Sequence, residues 1–261
     1  MDDRQPTSIS PISLHRALGT AASPSIVDAR TAAAFDGDDR LIVGAIRRDP
    51  AALEAWRDDL AGDRPVVVYG GHGGAASQGI AAALCAAGRD ARFLEGGIAA
   101  WLALDLPTRR RIGPASGASG AWVTRARPTI DRIACPWLVR RFIDPEASFL
   151  YVPEAAVGET SARTGAVPYD VAGAEFGHHG EFCSFDAFIR IYGIADPALD
   201  RLAAIVRGAD TSRPELTPQS PGLLAISQGL KANFTDDYAM LAQGMVVYDA
   251  LYVWCRGQGG R

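Results

Sequence analysis

Cysteine is scarce in this chain. There are four among 261 residues: Cys85, Cys135, Cys183 and Cys255, with no two close together. That spacing excludes a Cys-x-x-Cys redox or zinc motif. It also argues against a disulfide framework in a chain long enough to build a core. Long apolar runs are lacking too, and none approaches the ~18 residues of a bilayer-spanning helix. The opening Met1-Asp-Asp-Arg-Gln-Pro6 is acidic and polar, without the basic and apolar regions of a signal peptide. The expected compartment is the cytoplasm, with no membrane partner. No charge sign dominates: 26 Lys and Arg face 30 Asp and Glu, a formal charge of −4. Such a balance gives no general attraction to nucleic acid. Internal repeats are absent.

What is present is two stretches of different character. Arg109-Arg-Arg-Ile-Gly-Pro-Ala-Ser-Gly-Ala-Ser-Gly120 is short of large apolar residues and reads as a linker over 111–120. It separates an expected domain at 1–110 from another at 121–261. In the first, helix and strand signals alternate. Ser25–Asp28, Pro65–Tyr69 and Arg92–Leu94 read as strands. Ser10–Leu18, Pro50–Leu60, Ser77–Ala87 and a segment ending near Trp101 read as helices. The continuous apolar run Pro65–Tyr69 suits a strand covered on both faces. The pattern predicts an α/β domain with a parallel sheet flanked by helices. The second stretch reads as α+β and mostly helical. Strands are expected at Trp122–Thr124 and Ser148–Val152, and helices at Ile133–Ile143, Asp186–Tyr192, Ala198–Val206 and Asp236–Trp254.

Chemistry in the first stretch centres on Gly70-Gly-His-Gly-Gly-Ala-Ala76, between the strand Pro65–Tyr69 and the following helix. A tight loop there aims backbone N–H groups at one point at the positive end of a helix, which suits an anion. Gly70, Gly71, His72, Gly73, Gly74, Ala75 and Ala76 are the candidate anion-binding residues. The expected ligand is a small tetrahedral oxyanion such as sulfate, phosphate or chromate.

Several features around this loop resemble the rhodanese family. Asp28-Ala-Arg30 matches its Asp-x-Arg after a strand. Gly44-Ala-Ile46 matches its Gly-Ala-Ile turn, and Glu95-Gly-Gly-Ile-Ala-Ala-Trp101 with Leu106-Pro107 matches its ending. The resemblance implies a sulfurtransferase fold whose first loop residue is a persulfide-carrying cysteine. Here that position holds Gly70, and the usual basic loop residue is also missing. A glycine supplies no thiolate, so the implied catalytic residue is absent. Cys85 is no substitute, because it lies ~13 Å further along the helix at ~1.5 Å per residue. Three readings remain open: a scaffold that has lost its chemistry, an oxyanion nest with His72 as a titratable donor, and some other catalysis.

In the second stretch, Phe176-Gly-His-His-Gly-Glu-Phe-Cys-Ser-Phe-Asp186 packs imidazole, carboxylate and thiol into a few residues. These groups bind transition metals, so His178, Glu181 and Cys183 are candidate ligands for Zn or Fe. The alternative is a surface loop with one core cysteine. Asp131 and Arg132 open an apolar helix and read as cap and solvated face. Arg140 or Arg141 is expected to turn inward to Asp210 or Asp249. Arg127 to Pro145, Phe176 to Asp186, Ile205 to Asp210 and Gly244 to Trp254 together resemble the C-terminal domain of the chromate-resistance protein B family. That resemblance implies a role as sensor, regulator or accessory. Asp131, Arg132, Arg207 and Asp210 are candidates for a pocket in this second stretch. Many family members carry His-x-x-Asp where this chain has Arg207-Gly-Ala-Asp210.

The expected function is therefore an oxyanion-binding sensor or accessory of chromate resistance, with a rhodanese-like domain that is catalytically degenerate. The first alternative is a sulfurtransferase or metal-dependent redox enzyme of chromate or sulfur metabolism. The second is a DNA-binding transcriptional regulator, which the Arg109-Arg110-Arg111 run supports only weakly.

Overall fold

The computed structural model describes residues 6–60, 64–112 and 120–260. The first five residues and most of the expected linker, 113–119, lie outside the described residues. The chain divides into two units: Met1–Arg111 with Arg141–Pro145, and Ile112–Arg140 with Glu146–Arg261. Among the described residues no helix is long and apolar enough to cross a membrane.

The first unit contains strands β1 (Thr7–Ile9), β2 (Ser25–Asp28), β3 (Arg40–Ile42), β4 (Ala45–Arg47), β5 (Val66–Tyr69), β6 (Ala91–Leu94) and β7 (Thr108–Arg110). Its α-helices are α1 (Pro11–Ala17), α2 (Ala32–Asp36), α3 (Leu53–Trp56), α4 (Ala75–Ala86) and α5 (Gly97–Ala103). The main sheet runs β1-β6-β5-β2-β4 and is parallel throughout. β5 is central and buried at all four positions, as its unbroken Val-Val-Val-Tyr requires. Against it pack Trp56, Leu60, Ile80, Ala81 and Leu84. The helix expected over Pro50–Leu60 is instead three short pieces: a 3-10 turn, α3, and a second 3-10 turn. Asp49 caps the first piece, its carboxylate accepting from Ala51 N, and its carbonyl accepts from the Trp56 indole. These contacts hold Trp56 in the core without a continuous helix.

The second unit contains β8 (Ala121–Arg125), β9 (Ser148–Val152) and β10 (Val167–Pro168), a small parallel sheet in the order β10-β8-β9. Its helices are α6 (Asp131–Leu138), α7 (Val157–Thr164), α8 (Ser184–Tyr192), α9 (Pro197–Asp210), α10 (Ser220–Asn233) and α11 (Asp237–Gly257). The aromatic core joins sheet to helices: Trp122 lies 5.0 Å from Phe176 and 4.9 Å from Phe188, ring centre to ring centre. α6 begins two residues before the expected Ile133 and carries Pro136 inside it. Proline removes one helical donor and crowds the preceding turn. The chain continues as a π turn over Val139–Ile143. Arg140 Nε donates to the Ala147 carbonyl, and its guanidinium lies over Phe149. Asp249 accepts from the Trp137 indole.

Candidate functional site

The loop at 70–76 is fixed by close backbone approach. Gly73 has φ +66°, and a Cβ there would come within 2.7 Å of Gly96 N and 2.8 Å of Leu94 O. Gly97, at φ +57°, faces the Gly70 carbonyl and Gly73 N in the same way. Only glycine meets both demands. The loop carbonyls are engaged: Gly70 O by Ile98 N, Gly71 O by Ala99 N, Gly73 O by Gln78 Nε2, and Gly74 O by Ser77 Oγ. α4 starts two residues earlier than Ser77, and its N-cap Gly74 offers no capping side chain. The first N–H groups of a helix have no intrahelical acceptor. They are therefore available at the positive end of α4, beside the exposed His72.

Position 70 differs from 73 and 97. A Cβ added at Gly70 would meet only Ser77, at 3.7 Å, so the backbone does not demand glycine there. Behind the loop, Asp28 and Arg30 form an almost fully buried pair at 2.7 Å.

The second unit assembles a polar centre from three distant segments. Asp131 opens α6 and is fully buried. It is preceded by Ile130 at φ 31°, a costly conformation for a β-branched residue. Ile130 is clamped from both sides: its N–H donates to Ser227 Oγ and its carbonyl accepts from Tyr248 OH. Asp170 follows β10, also at positive φ, and Asp210 is the last residue of α9. His178 Nε2 stands among all three, 3.4 Å from Asp131 Oδ2, 3.3 Å from Asp170 Oδ1 and 3.1 Å from Asp210 Oδ2. Ser184 binds two of the carboxylates: its N–H donates to Asp131 Oδ2 and its hydroxyl to Asp170 Oδ1. The far oxygen of Asp170 faces Arg132 at 3.3 Å and Arg125 at 3.6 Å. Asp131 Oδ1 is buried without a hydrogen-bond partner.

The electrostatics follow from crowding. Burial raises Asp131 above the usual carboxylate range, despite the hydrogen bond from His178. Burial, then the charges of Asp131 and Asp170, push Asp210 up to about 7. Burial acts on Asp170 as well, but His178, Ser184 and the two arginines outweigh it and hold it low. Hydrogen bonds to Asp131 and Asp170 raise His178 to about 10. A cleft of about 640 Å³ reaches His178 and Asp170 past Arg125 and Glu154.

The set His178, Glu181 and Cys183 is not brought together as metal ligands. Glu181 is exposed and faces Arg213 at 3.6 Å. Cys183 is buried, its thiol donating to Asp186 Oδ2. Burial and neighbouring carboxylates raise that thiol far above its ordinary pKa. The reason is the turn at Gly180: His179 and Phe182 exchange backbone hydrogen bonds there. That turn sends Glu181 outward, while His178 precedes it. His179 lies against the Glu175 carbonyl. Of the pocket expected from Asp131, Arg132, Arg207 and Asp210, the structure unites Asp131 and Asp210, with Arg132 reaching them through Asp170. Arg132 is no solvated face: it also donates to Ala126 O and Thr129 Oγ1. Arg207 turns away, donating to Asp186 at 2.8 Å and lying over Phe182. Sequence reasoning does not reach Asp170. Its local signal is weak, a lone aspartate between a two-residue strand and Val171-Ala-Gly173.

Residues 122–255, just over half of the chain, match the family model "ChrB, C-terminal domain". The chain belongs to this family. Residues 10–104 match the rhodanese-like domain, in agreement with the five-stranded parallel sheet. Protein ChrB of Cupriavidus metallidurans is 33% identical over 132 residues, which is 50% of this chain and 39% of that protein. The chain thus aligns with well under half of that relative's length. Among solved structures, a rhodanese-related protein from Thermoplasma volcanium is 22% identical with a TM-score of 0.35. It covers 39% of this chain and 96% of its own. A rhodanese-like domain protein from Staphylococcus aureus is 24% identical with a TM-score of 0.33, covering 36% and 90%. The polar centre lies wholly within the segment matched to the ChrB C-terminal domain.

Proposed function

We propose that this chain is an accessory or sensor of chromate resistance, and that its rhodanese-like domain binds a small oxyanion without turning it over. The observation that carries this reading is the loop at 70–76. Gly73 and Gly97 keep the close backbone approach that shapes the loop. The loop carbonyls are tied up behind it, and the residues from 70 to 76 include no thiol or hydroxyl. The position where a rhodanese carries its nucleophile has room for a side chain and has none. An inert cradle fits chromate in particular. A low-pKa thiolate at the contact point would be oxidised by it, whereas backbone amides are not. The pairing of a rhodanese-like domain with a ChrB C-terminal domain supports the link to chromate.

The test is a titration of the full chain with sulfate and chromate, followed through the amide signals of Gly71 to Ala76. Saturable shifts at millimolar anion are expected, together with no thiosulfate:cyanide sulfurtransferase activity. Unmoved amides, or steady turnover, would overturn the reading.

A further inference from the structure

We infer that Asp131, Asp170 and His178 form a binding site for one divalent first-row transition ion in the ChrB-type domain, a site independent of the anion loop, with Asp210 beside it. Three carboxylate oxygens lie 3.1 to 3.4 Å from a single imidazole nitrogen. One ring N–H donates fully to one acceptor, so a proton serves this arrangement poorly. An ion serves the imidazole and the carboxylates of Asp131 and Asp170 at once. Donors ~2.1 Å from a common ion are ~3.0 Å apart at a right angle and ~3.4 Å apart at the tetrahedral angle. The separations of the imidazole nitrogen from Asp131 and Asp170, 3.4 and 3.3 Å, fall in that interval. The ligand atoms of Asp131, Asp170 and His178 all lie within 4.8 Å of one another.

A second observation comes from Asp131 itself. Its side chain is completely buried with Oδ2 facing His178 and Ser184, and among the described residues Oδ1 has no hydrogen-bond partner. An unpaired carboxylate oxygen in the interior is costly. A cation held by this carboxylate offsets that cost.

Charge and donor type narrow the ion. Two carboxylates and a neutral imidazole neutralise a divalent ion, with Asp210 beside the imidazole and Arg132 on the outer oxygen of Asp170. Oxygen-rich donors with one imidazole suit manganese, iron(II) or zinc, and disfavour copper(I) and other thiolate-seeking ions. Cys183 stays out, because its thiol donates to Asp186. The surrounding contacts hold the ligands in place. Ser184 fixes Asp131 and Asp170 from the start of α8, the kind of outer support that metal ligands need. His178 is the half-exposed member, on the wall of the cleft, and offers the ion a way in.

The experiment uses the full chain, stripped with chelator and titrated with Mn²⁺. Free Mn²⁺ is read by its electron paramagnetic resonance signal. One ion per chain is expected. His178→Ala should weaken binding by about 100-fold or more, since even outer-sphere losses cost 10–100-fold. Glu181→Gln should leave it unchanged. Zn²⁺ added to the unaltered protein should shift the His178 ring signals, a readout that needs no variant to fold. No saturable uptake of either ion at millimolar concentration would overturn the site and leave a protonated imidazole among carboxylates. Uptake that survives His178→Ala, or that Glu181→Gln abolishes, would also overturn it.

Discussion

Removing the Arg30 guanidinium should cripple the first domain while leaving the second intact. Arg30 and Asp28 are 2% and 0% exposed. The Asp28 carboxylate accepts from Arg30 N, Nε and Nη2, and Nη2 donates onward to the Arg40 carbonyl. Arg30→Met keeps most of the stem and removes the charge. Asp28 then stays buried with its main cationic partner gone, a loss of about 3–5 kcal/mol. Small domains are stable by only about 5–15 kcal/mol, so the sheet is left marginal. At about 4–8 °C per kcal/mol for a domain of this size, its transition should fall by more than about 10 °C. Replacing both partners, Asp28→Leu with Arg30→Met, removes the stranded charge and should recover much of the loss. Hydrogen exchange resolves the question within the full chain, because the amides of Val66–Tyr69 report on this sheet and those of α11 on the other unit. A single-variant loss below about 1 kcal/mol, or a double variant no better than the single, would refute the reasoning.

Two further outcomes are expected. Gly97→Ala places a Cβ against the Gly70 carbonyl and within 2.7 Å of Gly73 N, at a positive φ. It should cost about 1–3 kcal/mol and weaken anion binding, whereas Gly70→Ala should do neither; denaturant melts and the amide titration check both. In chelator-treated protein, His178 at about 10 and Asp210 at about 7 both exceed their unfolded values of ~6.5 and ~3.9. The folded state then holds more protons. Asp210's contribution is lost as pH rises from ~4 to about 7, and that of His178 from ~6.5 to about 10. Urea midpoints of the second unit should therefore fall across the alkaline window, and His178→Ala should flatten that fall. A midpoint that rises there would contradict it.

The central strand of the first domain was legible because Val66 to Tyr69 is apolar at every position, which only a strand covered on both faces tolerates. The loop was legible for a related reason: Gly73 and Gly97 answer backbone demands, and such demands select glycine wherever they occur. Local sequence misled where tertiary contacts took over. Pro50–Leu60 has helical spacing, but anchoring Trp56 to the Asp49 carbonyl breaks it into short turns. Pro136, interior to the expected helix, is held in α6 by a buried stretch whose packing outweighs the lost hydrogen bond.

The polar centre divides the same way. His178 and Asp210 stood out from their motifs, and Asp131 from its place before a helix. Proximity in sequence suggested Glu181 and Cys183 as companions of His178, and the turn at Gly180 separates them. Asp170 became a member only because β10 pairs with β8, and because Ser184 at the head of α8 ties it to Asp131. The sequence determined which residue types were available and where the backbone needed glycine, since both are local properties. The tertiary structure alone decided which carboxylates surround one imidazole, because that depends on three segments far apart in the chain meeting at one buried point.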